Sequence, residues 1–560
     1  MARSKARVYT CCALILLCVI AAIVCIVVLV RRKCPADTFS SAAVAADSGK
    51  CSEIGRDILR RGGSAVDGAI AALLCTSVIN PQSMGIGGGS IFTVMDSSGK
   101  VKIINSRETV PRNFKPDLLK SCPKTFQLVF GSQWIGVPGE IRGYEEAHRL
   151  YGKLPWASLF QPAIQLAREG FPIPPVQGRY IPYIDTNQTQ PLRKLYSDKD
   201  GNLLKTGDIM KFEKLADTFE MIADQGADAF YKGRIAEDLI HDIQEAGGTL
   251  TLEDLASYNA IVTDAWDFHL GEYQMYIPPP PAGGIILSLI LNILKGYGLK
   301  SESLTGQQKI LAYHRYAEAF KFANGLKKHI RDPNFSSDKM VRKFIEDSFA
   351  DHIRSLISSD KARDPQHYNI SSYLESMGTS HVSVLAEDGS AVSVTSTINH
   401  IFGSKVFSPR TGVILNNELC DFCGRVDDIY PVKAFVVLAG EQPPSSMAPA
   451  VLKSQSKMLV IGSSGGGMIT TGIASTLMNH LWFGKSLKDA IDTPVIYVDS
   501  QNTLKFEPNF DKNIIQALKD MGHNQGEASN FYNVVNAVEK EDGCICAVSD
   551  ARKQGQASGY

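Results

Sequence analysis

The hydrophobic pattern changes character several times along the chain. Residues 8–30 are almost wholly apolar and carry no charge. A run of that length crosses a bilayer and exceeds the apolar core of a cleavable signal peptide. Beyond it, helical periodicity and stop signals predict a helix over 52–61, ended by Gly62-Gly63, and a second over 64–78, ended by Asn80-Pro81. Further helices are predicted over 285–294, 468–482 and 512–521. The proline run Pro278 to Pro281 leads straight into the first of these and reads as a rigid approach within one domain. Residues 379–397 instead alternate apolar and polar on both sides of Asp388-Gly389, the mark of a β-hairpin with a two-residue type I′ turn. Such a turn puts residue 379 opposite 398 and 380 opposite 397. A second hairpin is predicted over 531–539 and 544–548. No fixed-period repeat or low-complexity linker interrupts the chain.

The first hairpin carries the most pointed chemistry. It opens with Gly378-Thr379, and Thr397 on the returning strand is a close cross-strand neighbour of Thr379. A threonine that follows glycine at a strand start, beside a second hydroxyl, fits a nucleophile released by self-cleavage. The plain alternative is a threonine-rich exposed hairpin. A freed Thr379 offers a hydroxyl and an α-amine, and such an amine titrates near about 7.7–8.0 when unperturbed. It is a usable general base at neutral pH without a histidine. His381 lies two residues on, on the same strand face, and reads as structural rather than as a triad base. Gly85 to Gly89 lacks the Gly-Lys-Ser/Thr of a phosphate loop, so its reading is close backbone packing. Gly462 to Gly467 lies between an apolar strand, Met458 to Ile461, and the 468–482 helix. Amides in that setting suit an anion or a developing oxyanion, with a tight turn as the alternative.

Charge and cysteine usage narrow the setting. The 560 residues hold 58 Lys+Arg and 58 Asp+Glu, a net charge of zero. With no basic stripe or RNP-like motif, nucleic acid is not an expected partner. Basic residues flank the apolar run on both sides, so charge does not orient it. The sequons at Asn187, Asn334 and Asn369 all lie beyond the run. They favour a single-pass type II protein of the plasma membrane, with a cytoplasmic tail over 1–7, a signal-anchor over 8–30 and an extracellular body. A cleaved signal peptide is the alternative. In an antiparallel helix pair the start of the first helix lies beside the end of the second, which puts Cys51 and Cys75 within disulfide reach. Such a bridge contributes about 3 kcal/mol. Cys420-x-x-Cys423 and Cys544-x-Cys546 lack a second pair at zinc spacing, so no metal site is expected.

A set of motifs resembles the γ-glutamyltransferase (glutathione hydrolase) family in order and spacing: Thr379-Ser380-His381, Ser393 to Asn399, Asn416-Asn417-Glu418, Pro444 to Met447, and Gly465-Gly466. Upstream, Ser83 to Gly89, Asn105 to Glu108 and Gly136 to Glu140 match it too, as does the ending, Ser549 to Lys553 and Gly559-Tyr560. The likeness runs from about residue 40 to the end. It is strongest to the leukotriene-processing branch, through Cys75 to Pro81, Pro278 to Gly284, Ser408 to Gly412 and Phe506 to Phe510.

This resemblance implies an α+β fold, the αββα sandwich of N-terminal-nucleophile hydrolases, behind an N-terminal transmembrane helix. It implies self-cleavage at Gly378–Thr379 into a large chain, 31–378, and a small catalytic chain, 379–560, which stay together as a heterodimer. Thr397 would orient the Thr379 hydroxyl, and the Gly465 and Gly466 amides would form an oxyanion hole. A γ-glutamyl head carries an α-carboxylate and an α-ammonium, so it needs opposite charges held apart. Arg107 with Ser445 and Ser446 suits the first; Glu418, Asp421 and Asn399 suit the second. The implied substrates are glutathione and its S-conjugates, leukotriene C4 among them. Water, an amino acid or a dipeptide would be the acceptor, and no cofactor is implied. Two departures bear on the cover of the site and on acceptor choice: Cys420 stands where many members have an acid, and the stretch from Asp421 to Ser445 is short. Two other classes stay open, a different self-processing amidase and a catalytically inactive membrane ectodomain serving as a binding protein.

Overall fold

The computed structural model describes residues 16–20, 34–35, 37–123, 129–186, 189–369, 378–424, 436–527 and 533–560. Its centre is a pair of antiparallel sheets built from β1 (Ala43–Ala46), β2 (Gly89–Met95), β3 (Val101–Asn105), β4 (Ile261–Asp264), β5 (Trp266–Leu270), β6 (Tyr273–Ile277), β7 (Ser380–Leu385), β8 (Ala391–Thr397), β9 (Ala450–Lys453), β10 (Lys457–Ser464), β11 (Val534–Glu541), β12 (Cys544–Ser549) and β13 (Gln556–Gly559). The first sheet runs β13-β1-β7-β8-β2-β3-β4 and the second β12-β11-β10-β9-β6-β5. Helices α1 (Gly49–Arg60), α2 (Ala65–Ile79), α3 (Glu140–Tyr151) and α4 (Trp156–Glu169) cover the outer face of the first sheet. Helices α5 (Gly284–Lys295), α6 (Gly306–Leu326) and α7 (Ile469–Leu477) cover the second.

Strand alternation makes these layers. On β7 and β8, Val382, Val384, Val392 and Val394 pack outward against the helices. Their neighbours face the second sheet, where Ala43, Leu385, Ala391, Val451, Val460 and Val538 form a thin inner core. Nearer the start of β7 that inner face turns polar. Both strands are buried along their whole length, which rules out an exposed hairpin. The segments before and after Thr379 therefore share both sheets: β7 and β8 lie between β1 and β2, and β9 to β12 extend β6 and β5.

The hairpin register is one residue away from the two-residue turn. Ser380 pairs with Ser396 and Leu385 with Ala391. Gly389 donates its N–H to the Ala386 carbonyl, and Gly389 alone in this loop sits in the left-handed region, at φ 81°. The connection is a three-residue loop, a turn followed by a glycine bulge. A slip of one residue exchanges the two faces of a strand, so Thr397 rather than Ile398 comes beside Thr379.

Helix ends fall within a few residues of expectation except after the glycine loop. There α7 ends at Leu477 and a wider π-type turn, Met478–Trp482, completes the predicted span. Ser64 caps α2 through a reciprocal box with Asp67. Cys51 and Cys75 are bonded, with 5.3 Å between Cα atoms. Two further bridges, Cys34–Cys544 and Cys122–Cys423, tie segments 510 and 301 residues apart. Asn334 and Asn369 are exposed, while Asn187 lies outside the described residues. Among the described residues no helix is long and apolar enough to cross a membrane. Of the apolar run 8–30, only 16–20 is described, as a helical turn with exposed side chains; the rest lies outside the described residues.

Candidate active site

Three segments converge at the open end of the hairpin. Thr379 stands immediately before β7, only 3% exposed, and its hydroxyl donates to Thr397 Oγ1 at 3.1 Å. Thr397 Oγ1 also accepts the Asn399 N–H at 2.8 Å, which fixes the acceptor that orients the first hydroxyl. Thr379 has a φ of 82°. A β-branched side chain rarely adopts that conformation, which costs on the order of 1–3 kcal/mol and marks a strained bond. The chain is continuous here, and the Gly378 carbonyl accepts the Gly465 N–H at 3.2 Å. A Cβ on Gly378 would lie 2.2 Å from the Asn399 carbonyl oxygen, so glycine alone fits ahead of Thr379. Gly465 and Gly466, at φ 116° and 57°, form the sharp turn from β10 towards α7 that aims this amide.

The other end of the site is a buried charge cluster. Arg107 follows β3 and is 1% exposed. Its guanidinium contacts Glu418, donates to Asp421 Oδ2 at 2.6 Å, and donates to the Pro443 and Pro444 carbonyls at 3.1 and 2.8 Å. The backbone on both sides is pinned: Arg107 N–H reaches Asn105 Oδ1 at 2.9 Å, and Gln442 Nε2 donates to Arg107 O at 3.1 Å. Asn399 Nδ2 donates to Asp421 Oδ1 at 3.0 Å. Burial opposes charge on Arg107, but Glu418, Asp421 and Glu108 outweigh it and raise its pKa. Burial likewise pushes the Glu418 carboxyl well above its ordinary range, against the pull of Arg107. Burial raises the Glu108 carboxyl as well, against the pull of the same guanidinium.

This differs from the expectation of opposite charges held apart. Arg107 and its two acidic neighbours touch directly, because the cation is buried and a buried cation without a partner is costly. A zwitterionic head group would have to enter between them, exchanging one internal ion pair for two with the ligand. The Ser445 N–H donates to the Pro281 carbonyl at 2.8 Å, and a Cβ on Gly283 would come within 2.6 Å of the Ser446 carbonyl oxygen. The proline run thus braces the two serines.

A cleft joins both ends and is lined by Thr379, Thr397, Arg107, Glu418, Asp421, Ser445, Ser446 and Gly466. Asn399 and Gly465 stand just behind it. His381 is not part of it. Its Nδ1 pairs with Thr395 Oγ1 at 2.9 Å and its Nε2 with Ser383 Oγ at 3.0 Å. Burial pushes its pKa down to about 3, so it is a neutral strut between the sheets, and only a glycine at 462 leaves room for its ring. Cys423 is taken by its disulfide. Away from the cleft, His314, Glu318 and His523 are close enough to share an ion. A direct His314 Nδ1–His523 Nε2 hydrogen bond of 2.8 Å, and the Tyr368 and Lys321 contacts to Glu318, already use those groups.

Sequence reasoning missed Lys553, whose ammonium donates to the Thr379 carbonyl and to Asp47 Oδ2, both at 2.6 Å. It lies in the C-terminal motif, which carried the signal without a role. It also missed Lys327, which lines the cleft beside Ile286 and Ile330.

A strained, glycine-preceded threonine at a strand edge between two facing sheets defines an N-terminal-nucleophile hydrolase. The chain superimposes on cephalosporin acylase from Bacillus halodurans with a TM-score of 0.82 at 25% identity, covering 93% of this chain and 96% of that one. Helicobacter pylori γ-glutamyltranspeptidase matches at a TM-score of 0.52 and 28% identity over 57% of this chain and 92% of that one. A family model described as γ-glutamyltranspeptidase matches residues 51–560. The glutathione hydrolase 5 proenzyme of Rattus norvegicus is 46% identical over 550 residues, 95% of this chain and 94% of the relative. That of Homo sapiens is 45% identical over 566 residues, 96% of each. The chain belongs to the γ-glutamyltranspeptidase family, and it is an enzyme of that γ-glutamyl-transferring class.

Proposed function

We propose that this protein is a self-processing γ-glutamyl hydrolase and transpeptidase acting on extracellular glutathione and its S-conjugates, including leukotriene C4, which it converts to leukotriene D4. The observation that carries the reading is the Thr379 geometry: a strained residue with its hydroxyl held by Thr397 and the preceding carbonyl on the Gly465 amide. Thr379 Oγ1 attacks the Gly378 carbonyl carbon, the C–N bond breaks, and the acyl group passes from nitrogen to oxygen; water then releases it. The freed α-amine becomes the general base. In turnover the same hydroxyl attacks the γ-carbonyl of the substrate. The leaving cysteinyl peptide takes a proton, and a γ-glutamyl ester on Thr379 remains for water or an amino acid to resolve. Gly465 and Gly466 stabilise the oxyanion in both reactions.

Head-group recognition falls to Arg107, Ser445 and Ser446 for the carboxylate and to Glu418, Asp421 and Asn399 for the ammonium. That set speaks against a general amidase, which needs no zwitterion pocket. For a bulky S-substituent, Ile286, Ile330, Met447 and Ile469 offer an apolar wall in the same cleft. The protein is a type II plasma-membrane enzyme with its body outside the cell. Three disulfides and the exposed sequons at Asn334 and Asn369 support an oxidising, glycosylating compartment. The test is mass spectrometry of purified ectodomain for a new N-terminus at Thr379, with kcat/KM for leukotriene C4, glutathione and a γ-glutamyl anilide on one preparation. An uncut, inactive protein would sink the reading. Turnover of the anilide with none of leukotriene C4 would remove the leukotriene branch alone.

A further inference from the structure

We propose that Cys420 is a positioning residue of the donor site: its sulfur, held between Asn399 and His400, fixes the Asn399 amide so that the amide oxygen is kept for the α-ammonium of the substrate; this rests on the γ-glutamyl reading above. Cys420 is a free thiol, 1% exposed, in the turn Glu418–Phe422, where it stands between the two acids that meet Arg107. Asn399 Nδ2 donates to Cys420 Sγ at 3.2 Å, to Asp421 Oδ1 at 3.0 Å and to the Asn417 carbonyl at 3.3 Å. Turned the other way, the amide would set its oxygen against a carboxylate, a carbonyl and a sulfur, so its orientation is determined. The opposite atom, Asn399 Oδ1, is buried and accepts no hydrogen bond among the described residues, and the same holds for Glu418 Oε2. Buried acceptors without a donor call for a ligand that brings N–H groups, and an ammonium brings them.

His400 holds the sulfur from the other side. The Val129 N–H donates to His400 Nδ1 at 3.2 Å. Burial pushes the pKa of the ring down to about 4, so the ring is neutral and its one proton sits on Nε2. That Nε2–H donates to Cys420 Sγ at 3.6 Å. The sulfur thus takes a donor from each of two consecutive side chains, and the His400 backbone N–H reaches Asn417 Oδ1 at 3.1 Å. The segment bearing Asn399 is in this way fastened to the turn bearing Glu418 and Asp421. Burial, with Asp421 and Glu418 adding to it, pushes the Cys420 thiol well above its ordinary pKa. The acceptor is therefore uncharged and adds no further negative charge beside Arg107. Without it, an Asn399 N–H loses a partner and the amide is free to turn its nitrogen towards the ligand.

The experiment follows self-cleavage, and then kcat and KM of the processed enzyme, in wild type, Cys420→Ala and Cys420→Ser. The donors are γ-glutamyl-p-nitroanilide and glutaryl-p-nitroanilide, which keeps the carboxylate and lacks the α-ammonium. Wild type should prefer the γ-glutamyl donor by about tenfold or more. Cys420→Ala should raise KM for that donor about fivefold, the scale of one hydrogen bond, with kcat within about twofold. Self-cleavage, which involves no ammonium, and turnover of the glutaryl donor should stay within about twofold of wild type. Cys420→Ser, whose oxygen accepts the same N–H groups, should recover most of the preference. An unchanged KM in Cys420→Ala, or an equal loss on both donors, would overturn the proposal. Should Cys420→Ala not mature, Cys420→Val, which fills the space and accepts nothing, carries the same expectation. A wild type indifferent to the ammonium would overturn the proposal whatever the variants do. Absence of turnover of either donor by processed wild type would instead refute the γ-glutamyl reading, and this inference with it.

Discussion

Replacing Arg107 by lysine keeps the charge and removes the fork, which makes it the sharpest probe of head-group recognition. Arg107 uses its side-chain donors on four acceptors: Glu418, Asp421 and the carbonyls of Pro443 and Pro444. A lysine ammonium has three donors at one point, so it cannot span two carboxylates and two carbonyls from one position. At least one buried acceptor loses its partner, at a cost of about 1–3 kcal/mol. Some of that is felt by the fold and some by the ligand. If the bidentate contact to the substrate carboxylate is lost, kcat/KM should fall by at least about tenfold, a barrier change of roughly 1.4 kcal/mol. Self-cleavage should be intact, because Thr379, Thr397, Gly465 and Lys553 make no side-chain contact with Arg107 among the described hydrogen bonds. The assay is steady-state kinetics with glutathione on Arg107→Lys, with two-chain maturation checked on a denaturing gel. An unchanged kcat/KM removes Arg107 from the site; a full-length, uncut variant shows that the charge cluster is needed for folding before it is needed for substrate.

Thr379→Ala should run as one chain, and a two-chain product cut at the same bond without added protease would refute the nucleophile assignment. Thr397→Val should slow self-cleavage, with Thr397→Ser restoring most of it; equal rates in all three proteins would show that the 3.1 Å hydroxyl contact does not matter. Removing the Cys122–Cys423 bridge by a double serine substitution should raise KM for glutathione with maturation kept, because Cys423 ends the turn that bears Glu418 and Asp421. Burial pushes the Glu140 carboxyl up to about 8. Folded protein then binds this proton, and unfolded chain does not, between about pH 4.5 and 8. Stability should fall as pH rises through that window, by up to about 1.4 kcal/mol per pH unit from this group, and level off above it. Glu140→Gln should flatten the decline in denaturation measurements from pH 5 to 9, and parallel pH profiles for the two proteins would contradict the account.

Much of the local structure was readable from sequence, because caps, breakers and alternation act over short range. Ser64 and Asn80 bound α2 where expected, and the helix pair brought Cys51 to Cys75. The crowding at Gly87 and Gly88, where a Cβ would fall within 2.1 Å of a carbonyl oxygen, fits the packing role read from that run. The hairpin turn was misread by one residue because Asp-Gly serves both a two-residue turn and a three-residue loop with a glycine bulge. Nothing in four residues tells them apart; the buried inner face chooses. Long-range facts were out of reach. The Cys34–Cys544 and Cys122–Cys423 pairings depend on which sheet edge each segment joins. Direct contact between Arg107 and the two acids follows from burial, which a list of charges does not reveal.

On the proposed mechanism, the uncut chain uses on itself each element that turnover later needs. Before cleavage the Thr379 nitrogen is an amide, donating to the Ser83 carbonyl at 3.1 Å, so no α-amine exists to act as base. The amide of Gly465 meanwhile holds the Gly378 carbonyl, the position an external acyl oxygen would take. Arg107 and its acids are closed on one another. In that mechanism, breaking one bond would supply the base and vacate the oxyanion donor together, and it would relieve the strain stored at a φ of 82°. The direction of the first reaction follows from that geometry. The bond ahead of Thr379 is the strained one, already polarised by a backbone donor and already within reach of its own side chain, whereas a glutathione-type substrate must first be captured by its head group. Processing and turnover thus place different demands on the same cleft. Side chains that touch only the head group, Arg107 foremost, should matter for the second reaction alone, while those that hold Thr379 and the Gly378 carbonyl should matter for both.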